Sequence, residues 1–159
     1  RLHDAVVYVH EEALKGFNAG VDMWTLMDKI ELPPELRVGQ GYGKVSWAVR
    51  TFWEEYVGWF KLESTTEFYP DSAPAALAEL LDLAGIDAAL DRAEAALALG
   101  NAPLAIKLGE AIAQRESDNA RVRSLMANAH QHLLDNGGDV SFWENGWLRT
   151  ELARWSTEA

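Results

Sequence analysis

Residues Gly39 to Phe60 read GQGYGKVSWAVRTFWEEYVGWF. Three glycines at alternate positions precede a long aromatic and aliphatic run that contains two carboxylates. The run has helical spacing: Val45, Val49, Phe52, Tyr56 and Trp59 recur on one stripe. Ala48, Trp53, Val57 and Phe60 widen that stripe beyond one face, which predicts a central helix over 45–60, covered on most sides. The glycines leave two readings open. Exposed amides at the start of this helix, helped by Lys44, can receive an anion. Alternatively, the glycines form a tight, ordered turn packed under aromatic neighbours. A dinucleotide or Walker loop is excluded by the spacing, and by Pro33-Pro34, which make the preceding segment a poor strand.

Outward from this stretch the pattern stays helical. The segment RLHDAVVYVHEEALKGFNAG carries one stripe of Leu2, Val6, Val9, Ala13 and Phe17, with a second of His3, Val7, His10 and Leu14 beside it. Two stripes predict neighbours on two sides. Asn18-Ala19-Gly20 stops the helix, and Asp22 caps a short one holding Trp24, Leu26, Met27 and Ile30. After Phe60 an irregular connection, KLESTTEFYPDSAP, holds an extended piece near 65–69. Four helical segments follow. Gly100 stops one, Pro103 sits harmlessly in the first turn of the next, and Asp118 or Asn119 caps the third. A last helix follows DVSF, where Ser141 and Glu144 have capping-box spacing. Ala89, Ala93, Leu97, Ala105, Leu108 and Ala111 show the small-and-large alternation of tetratricopeptide helices. The expected fold is all-α: one domain over 1–159, with an aromatic helical half and ordered loops over 1–70 and tetratricopeptide-like helices over 71–159.

The bulk chemistry narrows function by exclusion. The 159 residues carry a net charge of −11, spread along the chain, which disfavours nucleic acid and anionic membranes. With no cysteine there is no disulfide, thiolate nucleophile or sulfur-bound metal within the chain. No apolar run reaches membrane-spanning length, so a soluble protein of the cytoplasm or periplasm is expected, without membrane insertion. The start at Arg1 suggests a piece of a longer polypeptide.

Catalytic constellations are wanting. His3 and His10 stand seven positions apart, and His130 and His132 point in different directions on a helix. Neither pair has metal-ligand spacing, so no metal site and no cofactor is assigned to this chain. Glu54 and Glu55, adjacent on a helix, diverge by about 100° and rarely face one substrate together. Arg50 and Glu54, at i,i+4, pair with each other or across a subunit contact. No residue is assigned a catalytic role, so the chain alone is not expected to be an enzyme. The surplus is aromatic instead: seven tryptophans, of which a core of this size uses only some. Either most lie in an aromatic core with one ordinary exposed tryptophan, or the aromatic half is an interface. Trp24, Trp47, Arg50, Trp53, Glu54, Tyr56 and Trp59 are the candidate interface residues.

The motifs DAVVYVHEEALKGFNAG, ELPPEL, GYGKVSWAVRTFWEEYVGWF, STTEFYP and FWENGWL stand in an order that resembles the alkyl sulfatase dimerisation domain over essentially the whole chain. The resemblance implies a homodimerisation module that follows an N-terminal metallo-β-lactamase-like catalytic domain in alkyl or aryl sulfatases and related hydrolases. It also implies two zinc ions held in that other domain, and a role in closing the parent's active-site entrance. Family members typically continue the Tyr-Gly segment with Ser-His-Asn. Here Ser46 stands at the serine, whereas Trp47 and Ala48 replace the other two. Tyr56-Val57-Gly58-Trp59 follows the family pattern, but Lys61-Leu62-Glu63-Ser64-Thr65-Thr66 departs from it. Lys44 and Ser46 are therefore candidate substrate-side residues of a parent whose ester-like substrate need not be a sulfate. Two other readings are a helical-repeat adaptor for another protein and a small independent hydrolase. The first has one clear helix pair behind it, and the second lacks a metal constellation.

Overall fold

The structure, a computed structural model, describes residues 1–60, 64–70, 73–137 and 141–157, with backbone only for 73–75. The departure from family pattern at 61–63 lies outside the described residues. The described chain is all-α, in the order α1 (Leu2–Asn18), α2 (Met23–Lys29), a 3-10 turn (Pro34–Leu36), α3 (Val45–Val57) and a second 3-10 turn (Thr65–Phe68). Then come α4 (Ala73–Ala84), α5 (Ile86–Ala98), α6 (Ala102–Ala113), α7 (Ala120–Asn136) and α8 (Phe142–Ser156). No described helix is long and apolar enough to cross a membrane. Two compact units form: Arg1–Pro70 with Val140–Trp143, and Asp71–Asp139 with Glu144–Ala159.

In the N-terminal unit, α1 and α2 pack on α3. Asp22 caps α2 through its side chain, accepting from the Thr25 amide at 3.0 Å and the Thr25 hydroxyl at 2.7 Å. The hydroxyl, and after it the amide, hold this carboxyl below its usual range. A lowered folded-state value means the stabilisation is complete above the unfolded carboxylate pKa and fades as pH falls through the folded one. Asp22→Ala is therefore expected to lower the thermal midpoint at neutral pH. The gap to wild type should shrink in melts below about pH 4.

The core of this unit is small and aliphatic: Val9, Ala13, Leu26 and Val49 form its buried cluster. Gly16 lets α2 come close, since a Cβ there would stand 2.4 Å from Leu26. Two expectations fail here. Val49 is the single buried residue of α3, so within this chain the helix is covered on one side and not on most. It also ends at Val57, because Gly58 takes a left-handed φ of 72° and turns the chain out of the helix. α1 buries Ala5, Val9 and Ala13 and meets α3, α2 and the first 3-10 turn, with His10 of its second stripe against Phe52, while Leu2, Val6 and Val7 are exposed. The piece at 65–69 is not extended. Ser64 and Glu67 form a capping box around Thr65–Phe68, and this local hydrogen bonding overrides the β propensity of the two threonines.

In the second unit α5 packs on α6 and α6 on α7, with α4 against α5 and α6. Leu90, Ile112, Val122 and Met126 are fully buried among alanines at 89, 93, 102, 105 and 129. Small residues bring the helices together: a Cβ on Gly109 would stand 2.4 Å from the Met126 sulfur. Helix ends follow local chemistry. Asn101 caps α6 ahead of Pro103, and Asn119 caps α7 by accepting from the Arg121 amide at 2.9 Å. Of the two candidate caps, the structure uses Asn119. Arg121 reaches back to α5 and binds Asp91 at 2.7 Å and Glu94 at 2.9 Å, with Asp87 at 3.6 Å. Trp155 is buried there, and its indole donates to Glu151 at 3.2 Å.

Candidate functional site: the aromatic face of the N-terminal unit

The aromatic residues of the N-terminal unit lie mostly outside its core. Trp24, Tyr42, Tyr56, Trp59, Phe68 and Tyr69 are exposed, Trp59 at 71% and Tyr42 at 82%. They are not scattered singly. At the end of α3, Trp59 meets Phe68 edge-on at 6.0 Å, and Phe60 lies 4.4 Å from Phe68. The Ser64–Glu67 capping box fixes the turn that carries Phe68. A second group joins the glycine loop to the first residues of α8. The Phe142 amide donates to the Gly41 carbonyl at 2.7 Å, and the Tyr42 and Phe142 rings stand 6.1 Å apart. Phe142 and Trp143 are also exposed.

Between α1, the glycine loop and the start of α3 lies a groove of about 580 Å³. Leu2, Val6 and Val9 form one wall, and Lys44, Trp47 and Thr51 the other. Lys44 lays its ammonium 5.8 Å from the centre of the Trp47 ring, within cation–π range. Ser46, half-buried, lies outside the groove lining. Of the two substrate-side candidates, only Lys44 lines this groove.

Neither reading of the glycines survives intact. None of Gly39, Gly41 and Gly43 has a left-handed backbone, and a Cβ on Gly39 or Gly43 would meet nothing within 4 Å. Space is open around Gly39 and Gly43, while Gly41 is tied to the aromatic Phe142 through its carbonyl. The first amide of α3 is already taken, because the Gln40 side chain accepts from Val45 N–H at 2.9 Å. An incoming anion would have to displace that cap.

The other candidates divide between local roles and exposure. Arg50 and Glu54 pair within α3 at 2.9 Å, both about half exposed. The Tyr56 hydroxyl and His10 Nε2 are 2.7 Å apart, and the His10 ring stacks edge-on with Phe52 at 4.9 Å. Trp53, half-buried, meets Phe17 edge-on at 4.9 Å, and its buried indole N–H has no acceptor among the described residues. An unsatisfied buried donor is costly. Trp53→Phe, which removes the donor and retains a ring against Phe17, is therefore expected to leave the melting midpoint within a few degrees of wild type.

Among the described residues no three histidine, aspartate or glutamate side chains converge as a metal site requires. His130 is buried and donates from Nδ1 to the Met126 carbonyl at 2.7 Å, a packing role. Sequence reasoning missed Tyr42, Phe68, Phe142 and Trp143. The adjacency of Phe142 and Trp143 was a usable signal, since neighbouring helical side chains diverge too far for one core to cover both.

Residues 23–150 match the sequence profile of the alkyl sulfatase dimerisation family. A linear primary-alkylsulfatase from Pseudomonas sp. (strain ATCC 19151) is 25% identical over 154 residues, covering 94% of this chain and 29% of that protein. The stereoselective inverting sec-alkylsulfatase Pisa1 from Pseudomonas sp. superposes with a TM-score of 0.80 at 22% identity, covering 96% of this chain and 25% of that one. A double mutant of the sec-alkyl sulfatase PisA1 gives the same values. At that identity the structural likeness speaks for the fold, and the chain spans between a quarter and a third of the length of these relatives. The profile match covers most of the chain, and the chain belongs to the alkyl sulfatase dimerisation family.

Proposed function

We propose that this chain is the homodimerisation module of a larger metallo-β-lactamase-like alkyl sulfatase or related hydrolase, with the exposed aromatic face of its N-terminal unit in the two-fold contact. The observation that carries this reading is the placement of the tryptophans: Trp24, Trp59, Trp143 and Trp147 are exposed, and Trp155 alone is buried. A monomer with one ordinary exposed tryptophan does not fit that distribution. Rigid aromatic side chains are what subunit contacts use, and a two-fold axis presents each of them twice. The small aliphatic core of the N-terminal unit adds to this, since a unit of that size gains from a partner. In this reading Trp24, Trp47, Trp53, Tyr56 and Trp59 provide contact area, and Arg50 and Glu54 exchange or extend their pairing across the axis. Lys44 and Ser46 face the substrate side of the parent's entrance.

The zinc ions of such a parent do not fit the described residues of this chain, which bring no ligand set together. They belong, in this reading, to an N-terminal catalytic domain in the same polypeptide. The helices from α5 to α7 serve as a tetratricopeptide-like buttress. Sedimentation velocity at high micromolar concentration tests the proposal. A species of twice the chain mass is expected, and a strictly monomeric chain would overturn it.

A further inference from the structure

Asn136 and Asn145 are each followed by glycine, whereas Asn18, Asn101, Asn119 and Asn128 are each followed by alanine. A glycine leaves its own backbone nitrogen without a Cβ beside it, free to reach the side-chain carbonyl of the asparagine before it. The two Asn-Gly pairs stand in different surroundings. Asn136 is the last residue of α7 and is exposed. Its side-chain NH₂ donates to the His132 carbonyl at 2.8 Å, and the Gly137 amide donates to the Leu133 carbonyl at 2.8 Å. Both bonds belong to the last turn of a helix, which opens at little cost. The glycine is fixed by that same turn, since a Cβ on Gly137 would stand 2.8 Å from the Leu133 carbonyl. Asn145, by contrast, lies inside α8 and is 7% exposed, with Leu148 buried one turn further on. Its reaction requires that packed helix to open. Asn18 completes the comparison. It too is exposed and ends a helix, α1, but Ala19 follows it. Asn136 combines the following glycine, the exposed side chain and the helix end.

We propose that Asn136 is a site of spontaneous covalent modification in the folded chain, converted to aspartate and isoaspartate, while Asn145 is shielded from the same reaction. The Gly137 backbone nitrogen attacks the side-chain carbonyl carbon of Asn136 and gives up its proton. The new carbon–nitrogen bond closes a cyclic imide, and the side-chain nitrogen leaves as ammonia. Water then opens the imide at either carbonyl. One opening gives aspartate, and the other routes the backbone through the side chain as isoaspartate. In sum a water is consumed and an ammonia released, with no change of oxidation state. The product weakens the turn that made it. Aspartate at 136 has no NH₂ for the His132 carbonyl, and it sets a negative charge beside Asp135 at the C-terminal end of a helix, where the dipole disfavours it. α7 then frays further from this end. The reaction needs only residues of this chain and water, so a monomer would undergo it as a dimer would.

The test is peptide mapping by mass spectrometry on folded chain held at mildly alkaline pH and sampled over days, with an isoaspartate-specific methyltransferase to mark the rearranged product. Asn136 is expected to exchange NH₂ for OH roughly tenfold or more faster than Asn145 and Asn18. In denaturant the shielding is gone, so Asn136 and Asn145 should react within about threefold of each other, both ahead of Asn18. Asn136→Gln should abolish most of the methyltransferase signal. Freshly purified Asn136→Asp should melt a few degrees below Asn136→Gln. Equal rates at Asn136 and Asn145 in the folded chain would overturn the proposal, as would an Asn18 rate equal to that of Asn136. Asn136 left intact in the folded chain over a period that converts it in denaturant would overturn it too. So would a methyltransferase signal unchanged in Asn136→Gln. Equal melting of the two variants would remove the weakening of α7.

Discussion

Leu90→Ala is expected to lower the unfolding free energy by about 2–5 kcal/mol, toward the upper part of that range. Leu90 has no exposure and sits on α5 where α6 and α7 close over it. The cost of a deleted side chain depends on how far the walls can move inward. The buried cluster of Leu90 is rich in alanine, at 89, 93, 96, 102, 105, 111 and 129, and these have no longer side chain to swing into the gap. The helices are already close, as the contact of Gly109 with Met126 shows. Most of the cavity should persist. For a unit of this size the thermal midpoint should fall by roughly 10 °C or more. Leu83→Ala, at a position 85% exposed, is the control and should stay within about 0.5 kcal/mol of wild type. Urea titration of both variants checks the pair. A loss below about 1 kcal/mol for Leu90→Ala would contradict the packing described.

Trp59→Ala is expected to weaken self-association by about 2 kcal/mol or more, roughly 30-fold in Kd, while leaving the fold unchanged. The two effects separate because Trp59 is 71% exposed and lies beyond the end of α3, outside the buried cluster of its unit. Its ring is nevertheless held in place by Phe60 and Phe68, so little conformational entropy is lost when a partner covers it. Sedimentation equilibrium and circular dichroism on the same preparation give both readouts. Unchanged association would remove Trp59 from the contact. Trp24→Ala, at the other exposed tryptophan of the helical face, would then show whether the contact uses that part of the unit instead.

The sequence was most informative where local rules decide. Asp22, Asn101 with Pro103, Asn119 and Gly100 each mark a helix end through chemistry confined to a few residues, and each end falls where that chemistry places it. Periodicity misled where a pattern outran its stop. The aromatic spacing of α3 continues to Phe60, but the backbone leaves the helix at Gly58. Alternating glycines at 39, 41 and 43 do not by themselves mark left-handed turns, since none of the three adopts one. Least legible was which stripe meets its own chain. Val6 and Val9 look alike in a helical pattern, yet one is exposed and the other buried. A hydrophobic stripe records that something covers it, not which molecule does. The aromatic candidate residues were named from composition and spacing, but only coordinates separate Trp155 from Trp59.

The bond from Phe142 N–H to Gly41 O joins positions about a hundred residues apart in sequence. A ribosome making this chain from its first residue would release the Gly39–Gly43 loop long before its anchor exists. The N-terminal unit therefore reaches its finished form only after residues 140–143 have emerged, and closing so distant a contact is slow. Cutting the gene at position 70 to express the halves separately would strip that loop of its tether and leave the first turn of α8 without its Gly41 partner.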